Sequence, residues 1–203
     1  IIMRFFRTFS PAGWLFPEAI FRIKSPEKNA YLTFDDGPDP ESTPELLDIL
    51  YSANVKAVFF CCGYAAEKFP GLVFEIKRRG HLVGNHGYYH LNGWKISAKE
   101  YCDNADKASY FTSSSLFRPP YGRLRISQYN HLKKTFRIVF WDIMCYDFDP
   151  GFGAHRSMYV LKQKLRPGSI IVLHDTRNST CRTFLKDFLE DAMAKGYNFE
   201  NTL

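Results

Sequence analysis

Short, almost wholly apolar runs separated by longer stretches of helical period constrain this chain more than any other feature. Residues 30–34, 55–62, 82–85, 116–117, 136–141, 169–173 and 197–199 read as strands. Between them, Ser42 or Thr43 opens a helix carrying Leu46, Leu47, Ile49 and Leu50, and further helices are expected over 72–79, 98–111, 125–134, 158–165 and 183–194. Gly80 and Gly196 follow two of these as stop signals. Strand then helix, about seven times in one domain, predicts an α/β fold built on a parallel sheet or barrel. Strands without polar alternation suit such a sheet, because they are buried on both faces.

The polar residues then fall in a telling place. Asp35-Asp36, Asn85-His86, Arg118, Asp142 and His174-Asp175 each follow a predicted strand. Ligands of α/β sheets and barrels gather at the carboxyl ends of strands, so five such ends predict one site assembled from distant parts of the chain.

Composition narrows the class without naming a partner. With 45% hydrophobic and 17% aromatic residues in 203, the chain has ample material for a core and is not disordered. The formal charge of +6 favours anionic surfaces in general. Lys77-Arg78-Arg79 and Lys133-Lys134 read as solvated helix faces, and no nucleic-acid module is visible, so nucleic acid is not expected as a partner. The cysteines, Cys61, Cys62, Cys102, Cys145 and Cys181, are odd in number and lack metal-ligand spacing, which predicts buried reduced thiols. His81, His131 and His155 belong to no cluster and read as surface or capping residues.

Residues 1–29 form an apolar, basic, aromatic segment ahead of the domain over 30–203. Arg and Pro interrupt it too often for a signal peptide. Trp14, Phe16, Phe21, Arg22 and Lys24 would suit a peripheral membrane contact, although packing of the aromatics on or beside the domain is the preferred expectation.

The chemistry resides in four clusters. His86 and His90 stand four apart, which on a helical turn would put both imidazoles on one face as ligands of one metal. Asp35-Asp36 can add a third ligand and leave a second carboxylate free as a base; two histidines and one carboxylate keep coordination positions open for water and substrate. His174, ending a buried strand, suits a general acid. Arg118 precedes Pro119-Pro120-Tyr121-Gly122, a stiff loop able to aim an arginine or a backbone N–H at a reacting group.

Thr33-Phe34-Asp35-Asp36-Gly37-Pro38, His86-x3-His90, Arg118-Pro119-Pro120-Tyr121-Gly122 and Leu173-His174-Asp175 together resemble the ordered motifs of the NodB-type polysaccharide deacetylases, carbohydrate esterase family 4. The resemblance runs from about residue 30 to the end. It implies a distorted (β/α) barrel of about seven parallel strands and metal-dependent removal of N-acetyl groups from a sugar polymer such as peptidoglycan or a chitin-like glycan. By the same resemblance, Asp36, His86 and His90 would bind the metal, usually zinc and sometimes cobalt or nickel. Asp35 would be the base, oriented by Arg118, and His174 the acid. Tyr121 would offer its backbone N–H to the oxyanion. Pro120, Tyr121, Trp141, Phe148 and Leu173 would meet substrate, with Leu173 lining an acetyl pocket. A carbohydrate substrate is implied, an obligate protein partner is not, and the expected setting is the cell envelope or its cytoplasmic face.

The fourth motif departs from the family pattern Asp-x-x-Asp-Trp. Asp147 keeps the second carboxylate, which would charge His174, while Met144 and Phe148 replace the first Asp and the Trp and so alter the groove wall. Gly87 stands where the family often has a hydroxyl residue after the first histidine, and somewhat looser metal binding is expected from its loss. Three other readings compete. One is deformylation or deacylation of a lipid-linked sugar or small amide, and another is a silent glycan-binding barrel. The third is a two-His-one-carboxylate iron oxygenase, which has no use for the Arg118 loop or His174.

Overall fold

The computed structural model describes residues 4–8 and 12–203. The elements run α1 (Ala12–Leu15), β1 (Asn29–Asp35), α2 (Ser42–Ser52), β2 (Val58–Cys61), α3 (Gly63–Lys68), α4 (Pro70–Arg78), β3 (Leu82–Asn85), α5 (Ala98–Thr112) and β4 (Leu116–Phe117). After a 3-10 turn at Pro120–Gly122 come α6 (Ile126–Leu132), β5 (Arg137–Ile138), β6 (Ile143–Met144), α7 (Ala154–Lys164), β7 (Ile170–His174), α8 (Leu185–Ala194) and β8 (Asn198–Glu200).

Seven strands pair in the order β5-β4-β3-β2-β1-β7-β6, and β8 pairs with the start of β1. Every pairing in this sheet is parallel. The two edge strands, β5 and β6, are consecutive in the chain, so residues 139–142 cross from one edge to the other and bend the sheet into a distorted barrel. Val139 N–H still bonds to Phe117 of β4, whereas Asp142 N–H bonds to Ile170 of β7. The expected strand over 136–141 therefore ends early: Phe140 and Trp141 keep the sequence apolar through what is a crossing.

The N-terminal segment enters the same seam. Phe140 N–H donates to Ile20 O, and Ile20 N–H donates to Ile138 O. Ile23 N–H donates to Gly168 O, where φ is +78° and a Cβ would lie 1.6 Å from Ile23 O, so only glycine fits. Phe16 is buried against Tyr129 and Phe140, and Phe21 stacks on Phe140 at 4.6 Å, while Phe5, Trp14 and Leu15 stay exposed.

Strand alternation separates outward-facing from inward-facing strand residues, and the buried apolar residues form three clusters, one of them around Tyr101, Phe117, Tyr129 and Phe136. Leu32, Phe34, Phe59, Ile171 and Leu173 face outward into the layer that buries Leu46, Leu47 and Leu50 of α2 and Phe188 and Leu189 of α8. Tyr31, Val58, Phe60, Leu116, Val139 and Ile170 fill the interior. Phe60 takes so much of that interior that a Cβ on Gly84 would come within 2.3 Å of its ring. All five cysteines are buried and unpaired.

Candidate active site

β1 reaches the barrel mouth with Asp35 pointing inward by strand alternation. Its carboxylate Oδ1 accepts from Arg118 Nη1 at 2.8 Å. Arg118, just after β4, is fully buried, which works against its charge. Asp35 offsets that cost, with Thr33 Oγ1 and the carbonyls of Val139 and Phe140 accepting three further donors and the Phe60 ring 4.1 Å away. Oδ1 of Asp35 is thus committed, and Oδ2 is left toward the pocket, 3.8 Å from His86 Nε2.

Alternation alone would send Asp36 outward. Its left-handed backbone, φ 77°, brings it into the same pocket instead. Asp36 Oδ1 lies 3.6 Å from His86 Nε2 and 3.3 Å from His90 Nε2, and ligand atoms of all three residues fall within 4.8 Å of one another. That oxygen is buried and has no hydrogen-bond partner among the described residues. His86 Nδ1 bonds to Arg118 O at 2.8 Å, which fixes its tautomer and leaves Nε2 as a lone pair toward Asp36. Burial, then His90, pushes the His86 pKa down to about 3, so the ring is neutral. One carboxylate oxygen and two imidazole nitrogens converging in this way are a donor set that fits a cation.

The two histidines do not share a helical turn as the spacing suggested. They lie in an irregular loop after β3, because Gly87 takes φ +76° and breaks any helical path. Asn85 and Asn104 brace that loop: Asn85 Oδ1 accepts from Gly87 N–H, and the Asn104 amide exchanges two hydrogen bonds with the Tyr89 backbone. Support that residue 87 cannot give comes from α5 instead. Asn104→Ala should weaken metal binding about tenfold, read by competition with a chelator. An affinity within twofold of the parent would show that the loop stands unaided.

Across the pocket, His174 ends β7. Its Nδ1–H is donated to Asp147 Oδ1 at 3.0 Å, while Asp147 Oδ2 accepts from His174 N–H at 2.8 Å and Ser179 Oγ at 2.6 Å. Burial opposes the imidazolium charge, but Asp147, followed by Asp36 and Asp35, outweighs it and raises the pKa to about 9. Tyr121 sits in the 3-10 turn with φ 59°, exposed, its ring 4.3 Å from that of His90. Among the described residues its backbone N–H has no acceptor. Among the described residues, three of the five non-glycine residues with positive φ, Asp36, Tyr121 and Tyr146, line this pocket, so backbone strain is concentrated at the site.

The pocket holds about 430 Å³, walled by Asp35, Asp36, His86, His90, Tyr121, Arg123, Trp141, Met144, Tyr146, Phe148 and His174. Two expected substrate contacts are not on that wall. Leu173 alternates with His174 and is buried in the outer layer, and Pro120 is buried in the turn beneath Tyr121. Asp142 is not part of the site either. It opens β6 at the far end of the barrel, held by Arg7, Arg166 and Ser169. His81 is buried, not superficial: Nδ1 accepts from Ala57 N–H, and burial lowers its pKa to about 4. Sequence reasoning does not reach Arg123, whose only signal is a cation two residues beyond Tyr121.

A family profile described as polysaccharide deacetylase matches residues 22–135. A peptidoglycan-N-acetylglucosamine deacetylase of Bacillus cereus is 36% identical over 178 residues, covering 83% of this chain and 64% of that one. The chain thus spans just under two thirds of that relative. A second protein of the same name and organism is 30% identical over 203 residues, covering 93% of this chain and 91% of that one. The crystal structure of a peptidoglycan N-acetylglucosamine deacetylase in complex with 4-naphthalen-1-yl-N-oxidanyl-benzamide superposes with a TM-score of 0.87 at 32% identity, over 95% of both chains.

A parallel-stranded barrel with a His–Asp cluster at its mouth whose donors fit a cation is the class that geometry defines. The chain belongs to the polysaccharide deacetylase family, carbohydrate esterase family 4 with the NodB-type fold. The family is metal-dependent and acts on the N-acetyl amide bonds of carbohydrates.

Proposed function

We propose that this chain hydrolyses N-acetyl groups of a carbohydrate polymer of the peptidoglycan or chitin class. One observation carries the reading: a single pocket brings together a three-ligand cation site, a carboxylate fixed by a buried arginine and an imidazole fixed by a buried carboxylate. A divalent cation held by Asp36, His86 and His90, zinc foremost with cobalt and nickel as alternatives, would polarise the amide and lower the pKa of water to roughly 7.

The chain's own groups then divide the proton traffic. Asp35 Oδ2 takes a proton from the attacking water, with Arg118 holding the carboxylate in place through Oδ1. The Tyr121 N–H faces the charge that develops on the amide oxygen; a donor of this kind is worth about 2.7–4 kcal/mol in the barrier. His174 gives its Nε2 proton to the departing amine as the C–N bond breaks, so acetate and a free amino sugar leave. Trp141, Tyr146 and Phe148 offer aromatic walls to a sugar ring. The exposed Phe5, Trp14 and Leu15 support peripheral contact with a membrane, in keeping with action at the cell envelope.

The test is acetate release from N-acetylglucosamine oligomers and from peptidoglycan, with zinc, cobalt and nickel added in turn, beside formate release from formamido sugars. Acetate release abolished by a chelator and restored by metal is the expected result. Formate release alone, or chelator-insensitive turnover, would overturn the reading.

A further inference from the structure

Arg123 stands apart from the other arginines near the site. Arg118, Arg7 and Arg166 are each spent on a carboxylate, and the side chain of Arg125 donates to the Trp94 carbonyl. Among the described residues Arg123 has no carboxylate within 4.0 Å and its side chain donates no hydrogen bond. Its guanidinium lies 5.2 Å from the Trp94 ring centroid and 5.9 Å from that of Tyr121, and it lines the pocket beside the cation-site residues. Aromatic faces hold an arginine in place without consuming its donors.

The backbone beneath it is equally fixed. Arg123 N–H donates to Pro120 O, and Gly93 packs so closely on Arg123 O that a Cβ there would approach to 2.3 Å. Gln128 ties the two loops, donating to Gly93 O and accepting from Arg125 N–H. A guanidinium on a rigid loop, with donors unspent and facing a sugar-sized pocket, is a preorganised receptor for a planar anion. The remaining charge of the pocket opposes such a ligand, since Asp35 and Asp36 also line it. Neutral sugar oxygens could accept from this guanidinium too, but a carboxylate matches its planar fork with two charge-assisted bonds.

We infer that Arg123 is a specificity residue that binds a carboxylate carried on the glycan next to the sugar whose acetamide is cleaved, selecting acidic polymers over neutral ones. This rests on the deacetylase reading and names its substrate class. Because Tyr121 separates Arg123 from His90, the carboxylate sits one ring away from the reacting amide.

The experiment compares kcat/KM for three substrates: a neutral N-acetylglucosamine oligomer, an alternating glycan with free lactyl carboxylates, and the same glycan with those carboxylates amidated. The parent should prefer the free acid over the amide about tenfold, a preference that shrinks with added salt. Arg123→Gln should bring that ratio close to one, and Arg123→Lys should keep part of it. An unchanged ratio in Arg123→Gln, or a parent without preference, overturns the assignment. Calorimetric binding of the acid and amide glycans to both proteins, without turnover, reads the same contrast. Loss of all acetate release with retained acid-selective binding would defeat the deacetylase reading and leave the Arg123 assignment standing; equal binding of acid and amide would defeat the assignment.

Discussion

Asp35→Asn should lower kcat by about 10² to 10⁴ while the purified protein keeps its metal. The amide cannot take the proton that Oδ2 would accept, and Asp36, His86 and His90, the cluster whose donors fit a cation, are unaltered. The same change should destabilise the fold, because it leaves the Arg118 guanidinium fully buried without a counter-charge; removing one member of such a pair costs about 3–5 kcal/mol. Three neutral acceptors on Thr33, Val139 and Phe140 stay in place and favour the lower end of that range. Lost stability and lost catalysis are separable. Adding Arg118→Met to Asp35→Asn removes both charges and should recover part of the thermal stability but none of the turnover. Full activity in folded, metal-bearing Asp35→Asn would end the assignment of Asp35 as the base.

What the sequence made legible follows from how locally each feature is encoded. β1 and β7 are central, buried on both faces and written as unbroken apolar runs, so their ends, with Asp35, Asp36 and His174, stand where the pattern places them. Asp147 and Arg118 were reachable through motif order. The closure of the barrel was not. The crossing at 139–142 has the same apolar texture as a strand, which made Asp142 look like a strand end when it is a strand beginning. Leu173 shows the opposite error: it neighbours His174 in sequence, but the period of two turns it to the outer layer. The histidine pair is brought together by a glycine's left-handed turn and not by helical spacing, so the clustering depends on a backbone path that the i, i+4 pattern does not encode. Arg123 is silent in sequence because its meaning is the absence of a partner, which only packing reveals.

The pair of Asp147 and His174 gives the second large effect. With Nδ1–H committed to Asp147, His174 presents Nε2 to the pocket, and a pKa raised to about 9 keeps that nitrogen protonated at neutral pH. The basic limb of kcat should therefore fall near pH 9 in the parent. Asp147→Asn removes the charge and cannot satisfy its neighbours: Oδ2 now accepts from His174 N–H and from Ser179, and an amide nitrogen placed there would face two donors. Turned the other way, that nitrogen faces Nδ1 and favours the neutral ring. Either orientation disfavours imidazolium, so the basic limb should move down toward the ordinary histidine value of about 6.5, with kcat lowered by about 10² or more. Stability reports the same pair with a defined sign. A histidine whose pKa is higher folded than unfolded stabilises the fold fully below about pH 6.5, and that contribution is lost as pH rises through about 9. Asp175, whose burial raises its carboxyl to about 7, also makes stability fall with rising pH, but between about 4 and 7 and equally in both proteins. The decline from pH 6.5 to 9 should thus be present in the parent and flattened in Asp147→Asn, measured as Tm against pH. Coincident stability curves and an unmoved basic limb would mean that Asp147 does not charge His174.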